Sequence, residues 1–246
     1  MTEMERNTLI LTGASRGIGH ATAKRFADEN WRVITCSRQA FSADCPWLQG
    51  PDDHVQIDLS DQTSLADGIA GIRTRLHGDP VQALVNNAGI SPKTEKAGRL
   101  GALDMSLETW WQVFNVNFFA PLELARGLRS ELERGGASIV NVTSIAGTRV
   151  HPFASSAYAT SKAALSALTR EMASDLGPWG IRVNSIAPGE IDTSILSPGT
   201  EELTEALPLK RIGTPQEVAS MIFFLCSDQS SYVSGAEIHV NGGQHV

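Results

Sequence analysis

Thr8-Leu-Ile-Leu-Thr-Gly-Ala-Ser-Arg-Gly-Ile-Gly19 decides how the chain is read. An apolar run over 8–12 reads as a buried strand, the glycines follow at once, and a helix is expected over 18–29. The spacing is GxxxGxG, where the usual dinucleotide fingerprint is GxGxxG, but the physics is shared. Gly13 allows a tight turn, Gly17 lets backbone approach a pyrophosphate, and Gly19 permits close packing of helix on strand. The helix N-terminus then presents free N–H groups and its positive dipole end to phosphate. Ser15, Arg16 and Ile18 complete the turn.

Outward from this turn, strands are expected over 32–37, 54–58, 83–86, 137–143, 182–186 and 236–240. Helices are expected over 63–76, 121–133 and 158–176, the last ended by Gly177-Pro178. Strand and helix alternate throughout, the signature of a parallel sheet covered on both faces. Right-handed crossovers make it doubly wound, with ligand at the carboxyl ends of the strands. The expectation is an α/β chain, a single doubly wound Rossmann-type domain over 1–246 with a seven-stranded parallel sheet. The least regular stretches are 41–52, 91–104 and 192–210. The last two follow the fourth and sixth strands and should overhang the site.

Composition narrows the class. Twenty Lys and Arg against 27 Asp and Glu give a net charge of -7, which argues against nucleic acid or a polybasic membrane surface. Apolar runs are too short for a membrane span, and 1–11 does not read as a signal peptide. Cys36, Cys45 and Cys226 match no CxxC or zinc spacing, and the six histidines include no HExxH, so no metal is expected. A reducing, cytoplasmic setting follows as the expectation.

The second strand bears on which dinucleotide would bind. An NAD site of this architecture has Asp or Glu at that strand's end, for the ribose 2′-hydroxyl. Here Ser37 and Arg38 stand there, with Arg16 in the glycine turn. Two guanidiniums suit a 2′-phosphate, so NADP(H) is favoured and NAD(H) is the alternative; both arginines being solvated surface charges also stays open.

Tyr158 and Lys162 stand at i and i+4 and share a helical face. A neighbouring ammonium favours phenolate, bringing tyrosine toward acid–base work near neutrality. Asn141-Val-Thr-Ser144 ends the fifth strand, where the Ser144 hydroxyl would meet the substrate oxygen that Tyr158 protonates; Asn86-Asn-Ala-Gly89 closes the fourth.

TGASRGIG (12–19), NNAG (86–89), NVTS (141–144), YATSK (158–162) and PGEIDT (188–193) occur in order, with a closing segment over 232–243. By this set the chain resembles the short-chain dehydrogenase/reductase family over nearly its whole length, most closely the branch of 3-oxoacyl-[acyl-carrier-protein] reductases. The resemblance implies hydride transfer between a nicotinamide and a carbonyl/secondary alcohol pair, possible substrates including 3-oxoacyl thioesters. It implies Tyr158 as general acid/base, Lys162 as its partner holding the nicotinamide ribose, Ser144 polarising the substrate oxygen, and Asn117 anchoring a proton-relay water. It further implies Asp58 and Leu59 at the adenine, Asn87, Ala88 and Gly89 at the adenosine ribose, Thr143 in the cofactor site, and Pro188, Gly189, Ile191 and Thr193 on the nicotinamide side.

Two departures from the family pattern stand out. The 91–104 segment, with Lys93, Glu95, Lys96 and Arg99, is longer than expected, and 144–158 is slightly long, placing His151 toward the pocket as substrate contact or solvated loop residue. Lys93, Lys96, Arg99 and Arg149 are candidates for docking an acidic carrier protein. A homotetramer, or a dimer, is implied, with Leu122, Leu124, Leu128, Leu165, Leu168 and Met172 serving either helix faces between copies or the core. A non-catalytic dinucleotide-binding regulator is disfavoured because Ser144, Tyr158 and Lys162 are all present.

Overall fold

The computed structural model describes residues 6–40, 53–96, 98–193 and 200–246. The irregular 41–52 stretch with Cys45, the first five residues, and 194–199 of the second overhang therefore lie outside the described residues. Seven strands form one all-parallel sheet: β1 (Thr8–Thr12), β2 (Arg32–Ser37), β3 (His54–Gln56), β4 (Ala83–Asn86), β5 (Ser138–Val142), β6 (Arg182–Pro188) and β7 (Glu237–Val240). Their order is β3-β2-β1-β4-β5-β6-β7, so the chain reverses direction across the sheet between β1 and β4. That reversal opens the crevice where a doubly wound fold takes its ligand.

Leu9, Ile10 and Leu11 are all fully buried, as a central parallel strand requires. Leu9 and Leu11 pack on the face that also holds Phe26 and Ile222, from α1 (Gly17–Asp28) and α8 (Pro215–Cys226). Ile10 packs on the other, with residues of α2 (Gln62–Leu76), α4 (Ala120–Gly127), α5 (Arg129–Gly135) and α6 (Ser156–Leu176). α3 (Leu107–Phe114) and α7 (Thr200–Ala206) complete the helices in chain order.

The expected helix over 121–133 is broken at Leu128. Gly127 explains the site of the break: a Cβ there would lie 2.6 Å from Ile69 of α2, so close packing needs its bare backbone. Ahead of it, Asn115–Phe119 winds as a π-helical segment between α3 and α4. The sequence reading also missed α8, whose start is fixed by a reciprocal cap between Thr214 and Glu217, and α7 occupies part of the stretch read as irregular.

Leu124, Leu128 and Met172 belong to the interior, Leu168 packs against it and Leu165 is buried, so these side chains are core; Leu122 is half-buried. Among the described residues, no helix is long and apolar enough to cross a membrane.

Candidate active site

One cavity of about 590 Å³ opens along the carboxyl ends of the strands. Of the catalytic and cofactor-binding candidates named from sequence, all but Gly19 and Asn117 line it.

The glycine turn is built as its letters require. Gly13 and Gly17 have φ of +73° and +56°, where a Cβ would be strained. Gly19 lies beneath: a Cβ there would fall 2.1 Å from the Gly13 carbonyl oxygen, which is why it supports the cavity without lining it. Asn87 locks the turn from the next strand, donating through Nδ2 to the carbonyls of Thr12 (3.1 Å) and Gly13 (3.0 Å). Thr12 Oγ1 accepts from the N–H groups of Asn87 and Ala88, and no sequence signal marked it. Thr193 packs against Gly17 from across the cavity. This bare, positive-φ cradle at a helix N-terminus fits a pyrophosphate.

At the end of β2, Ser37 is half-buried and its hydroxyl donates to the Gln39 carbonyl (3.1 Å), while Arg38 and Arg16 are exposed on the cavity rim. No carboxylate stands at 37–39. Asp58 Oδ1 accepts from the hydroxyl (2.7 Å) and N–H (2.9 Å) of Ser60, which hold its carboxyl below the ordinary range, with the Arg38 charge adding to the effect. Thr143 contributes little side-chain chemistry to the cavity, because its hydroxyl is engaged with the Ile186 carbonyl (2.9 Å) and Glu237 (2.8 Å).

The catalytic candidates are set by one cap. Ser155 Oγ accepts from the Tyr158 N–H (3.3 Å), starting α6 so that Tyr158 and Lys162 fall on its first two turns. Ser144, the residue after β5 and Thr143, lines the cavity with Tyr158, and its Oγ accepts from the Ala146 N–H (3.1 Å). Lys162 is 3% exposed and donates through Nζ to the Val142 carbonyl (2.7 Å). Its Nζ is 5.7 Å from the Tyr158 ring centre.

Burial works against the phenolate that the neighbouring Lys162 ammonium would favour. Desolvation raises Tyr158 above its usual value, the Ser144 hydrogen bond opposes this, and the Glu190 charge adds to the rise. Lys162 is itself pushed down to about 8 by burial. Desolvation penalises whichever form is charged, and here it acts on both partners.

Asn117 is neither solvated nor a cap. It is fully buried in the π segment, where Oδ1 accepts from the Ile90 N–H (2.9 Å) and Nδ2 donates to the Ile90 carbonyl (3.0 Å) and Ser161 Oγ (3.0 Å). With both amide hydrogens used, the side chain positions Ile90 and α6.

The overhangs both reach the cavity, through Ser91 and Lys93 on one side and Thr193 and Thr200 on the other. Arg99 donates to Ser156 Oγ (3.1 Å) and Arg149 to the Gln244 carbonyl (2.7 Å), so two of the four candidate docking cations are tied to the body of the protein. His151 is buried and paired with Glu190, which the sequence reading passed over although it lies inside PGEIDT. A carboxylate at the end of a strand that faces the ligand was the available signal.

A glycine cradle at the reversal point, with tyrosine, lysine and serine converging a few residues from the strand ends, defines a Rossmann-type oxidoreductase working with a nicotinamide dinucleotide. The chain belongs to the short-chain dehydrogenase/reductase family: the member family described as "Enoyl-(Acyl carrier protein) reductase" matches residues 13–245. Protein FixR of Bradyrhizobium diazoefficiens is 59% identical over 244 residues, covering 98% of this chain and 88% of that protein. 3-Oxoacyl-[acyl-carrier-protein] reductase FabG of Aquifex aeolicus is 33% identical over 252 residues, covering 98% of each. Among solved structures, a short-chain dehydrogenase/reductase family oxidoreductase from Brucella ovis, in complex with a partially ordered NAD, is 59% identical with a TM-score of 0.84, covering 96% of this chain and 100% of that one.

Proposed function

We propose that the chain is one catalytic domain that interconverts a carbonyl and a secondary alcohol, with NADP(H) preferred. The reading is carried by Ser144, Tyr158 and Lys162 meeting on the same cavity as the glycine turn. When bound, the dinucleotide supplies or accepts the hydride. Gly13, Ser15, Gly17 and Ile18 would hold its phosphates, and Asp58, Leu59 and Asn87–Gly89 its adenosine half. Pro188, Gly189, Ile191 and Thr193 would hold the nicotinamide side.

Tyr158 donates its phenolic proton to the substrate oxygen in reduction and takes it back in oxidation. Ser144 hydrogen-bonds that oxygen where negative charge develops. Lys162, its ammonium fixed by the Val142 carbonyl, lends positive charge and would hold the nicotinamide ribose. Asn117 acts by holding Ile90 and Ser161 in place.

The absence of a carboxylate at 37–39 and the rim positions of Arg16 and Arg38 support NADP(H). NAD(H) is the second reading, favoured by the NAD in the Brucella ovis relative. A 3-oxoacyl thioester is the finer substrate reading that the Aquifex aeolicus relative's name suggests. Assembly as a homotetramer or dimer would use exposed apolar side chains such as Leu107 and Trp111 of α3, since Leu124, Leu128, Leu165 and Met172 are buried.

The test follows nicotinamide absorbance over a panel of ketones and secondary alcohols, on wild type and Tyr158→Phe. Turnover by wild type, reduced about 10²–10⁴-fold in the variant with dinucleotide binding retained, supports the reading. Equal turnover by the two overturns it.

A further inference from the structure

Glu190 lines the same cavity as Tyr158 and Ser144, and none of the steps above uses it. It follows Pro188-Gly189 at the end of β6 and is clamped by Gly213, whose N–H donates to the Glu190 carbonyl (2.8 Å) and whose carbonyl accepts from Asp192 (2.8 Å). The side chain is 8% exposed. A carboxylate so enclosed is expensive unless something answers its charge.

His151, from the loop between β5 and α6, supplies part of the answer: its Nε2 lies 2.6 Å from Glu190 Oε1. The Phe153 N–H donates to His151 Nδ1 (3.3 Å), so Nδ1 is the acceptor and Nε2 carries the proton given to Glu190. That neutral tautomer leaves the pair with one net negative charge inside the cavity. Lys93, from the loop after β4, lines the cavity too; burial lowers its pKa and the Glu190 charge opposes that. Glu190 and Tyr158 line one cavity, so a group held by Glu190 would belong to the same substrate whose oxygen meets Tyr158.

We propose that Glu190, oriented by His151, determines specificity by accepting a hydrogen bond from a second polar group of the substrate, a hydroxyl or protonated amine near the reacting carbon. The class is vicinal diols and amino alcohols, with their hydroxy and amino ketones, in preference to carbonyls flanked only by hydrocarbon. This deepens the oxidoreductase reading and rests on it. A buried acceptor discriminates strongly because an analogue lacking the donor leaves it desolvated and unanswered, whereas a missing methylene changes little.

Three alcohols of one shape test this: 2-butanol, 1,2-propanediol and 1-amino-2-propanol differ only in a terminal methyl, hydroxyl or ammonium. With the full chain and NADP+ or NAD+, kcat/KM for the diol and the amino alcohol is expected at least about tenfold above 2-butanol. Glu190→Gln is expected to shrink the amino alcohol's advantage at least about fivefold. A Glu190 that merely latched two loops would lower all three alcohols alike. Equal wild-type rates on the three, or an advantage that survives Glu190→Gln, overturns the proposal.

Failure of the oxidoreductase reading has a different signature, no nicotinamide reduction with any of the three. Calorimetric titration of the NADP+-loaded protein with 1-amino-2-propanol and with 2-butanol then decides the recognition by itself. Tighter binding of the amine supports it, and equal binding overturns it.

Discussion

Lys162 Nζ donates a 2.7 Å hydrogen bond to the Val142 carbonyl, tying the second turn of α6 to the end of β5. The same burial that fixes the ammonium penalises it, pushing its pKa from 10.5 to about 8. A native pKa below the unfolded one means lost stability, full below pH 8 and gone above about 10.5. Lys162→Met removes about 3 kcal/mol of that penalty at pH 7 and forfeits about 1 kcal/mol of hydrogen bond. Denaturant unfolding should show a gain of roughly 1–2 kcal/mol while turnover collapses.

Arg38 and Arg16 stand on the cavity rim beside Ser37. Nicotinamide fluorescence titration is expected to give NADPH binding at least about tenfold tighter than NADH, a difference of about 1.4 kcal/mol, lost in Arg38→Ala. Equal or tighter NADH binding in wild type would make both arginines ordinary surface charges.

Asn117 satisfies both backbone groups of Ile90. Asn117→Ala leaves the half-buried Ile90 N–H and carbonyl without these partners, for an expected loss of about 1–3 kcal/mol in urea unfolding. Ser161→Ala removes one of the same contacts and should cost about 1 kcal/mol.

Two glycines give opposite expectations. Gly19→Ala drives a methyl into the Gly13 carbonyl and should abolish dinucleotide binding along with several kcal/mol of stability. Gly177→Ala meets nothing within 4 Å and should leave the thermal midpoint unchanged or slightly raised. Paired melting curves and binding titrations check both.

Alcohol oxidation needs the phenolate, so its rate should climb with pH through the Tyr158 pKa. Burial raises that pKa, Ser144 lowers it and the Glu190 charge raises it, and Lys162, His151, Lys93, Asp58, Cys36, Arg16 and Arg38 are the other titratable groups on the cavity. Glu190→Gln removes one raising influence, so the limb in a kcat/KM–pH profile should move to lower pH. An unmoved or upward-shifted limb would show that Glu190 does not act on the tyrosine.

The parts of this fold legible in sequence are those where one residue type meets a local demand. Gly13 and Gly17 announce their positive φ, and Ser155, three residues before Tyr158, announces the start of α6. The π winding over Asn115–Phe119 left no such mark, because the same apolar letters suit α spacing equally well. α8 was missed although Thr214 and Glu217 stood at cap spacing, since the apolar run over 221–226 shows no one-sided period. His151 and Glu190 are 39 residues apart, and only the folded loops bring them together. The Tyr158 shift likewise depends on how deeply the hydroxyl is enclosed, a property of packing that the i, i+4 spacing with Lys162 does not carry.

The extra residue wound into Asn115–Phe119 makes chain length there as consequential as residue type. Deleting one position would restore regular winding with the two flanks still in phase, because the wide turn absorbs its extra residue locally. Val113 and Ala120, both fully buried on either side, would go on facing the interior together. The change would fall on the residues inside the wide turn, Asn117 among them, so relatives that differ in length here should differ at the site and keep the core behind it.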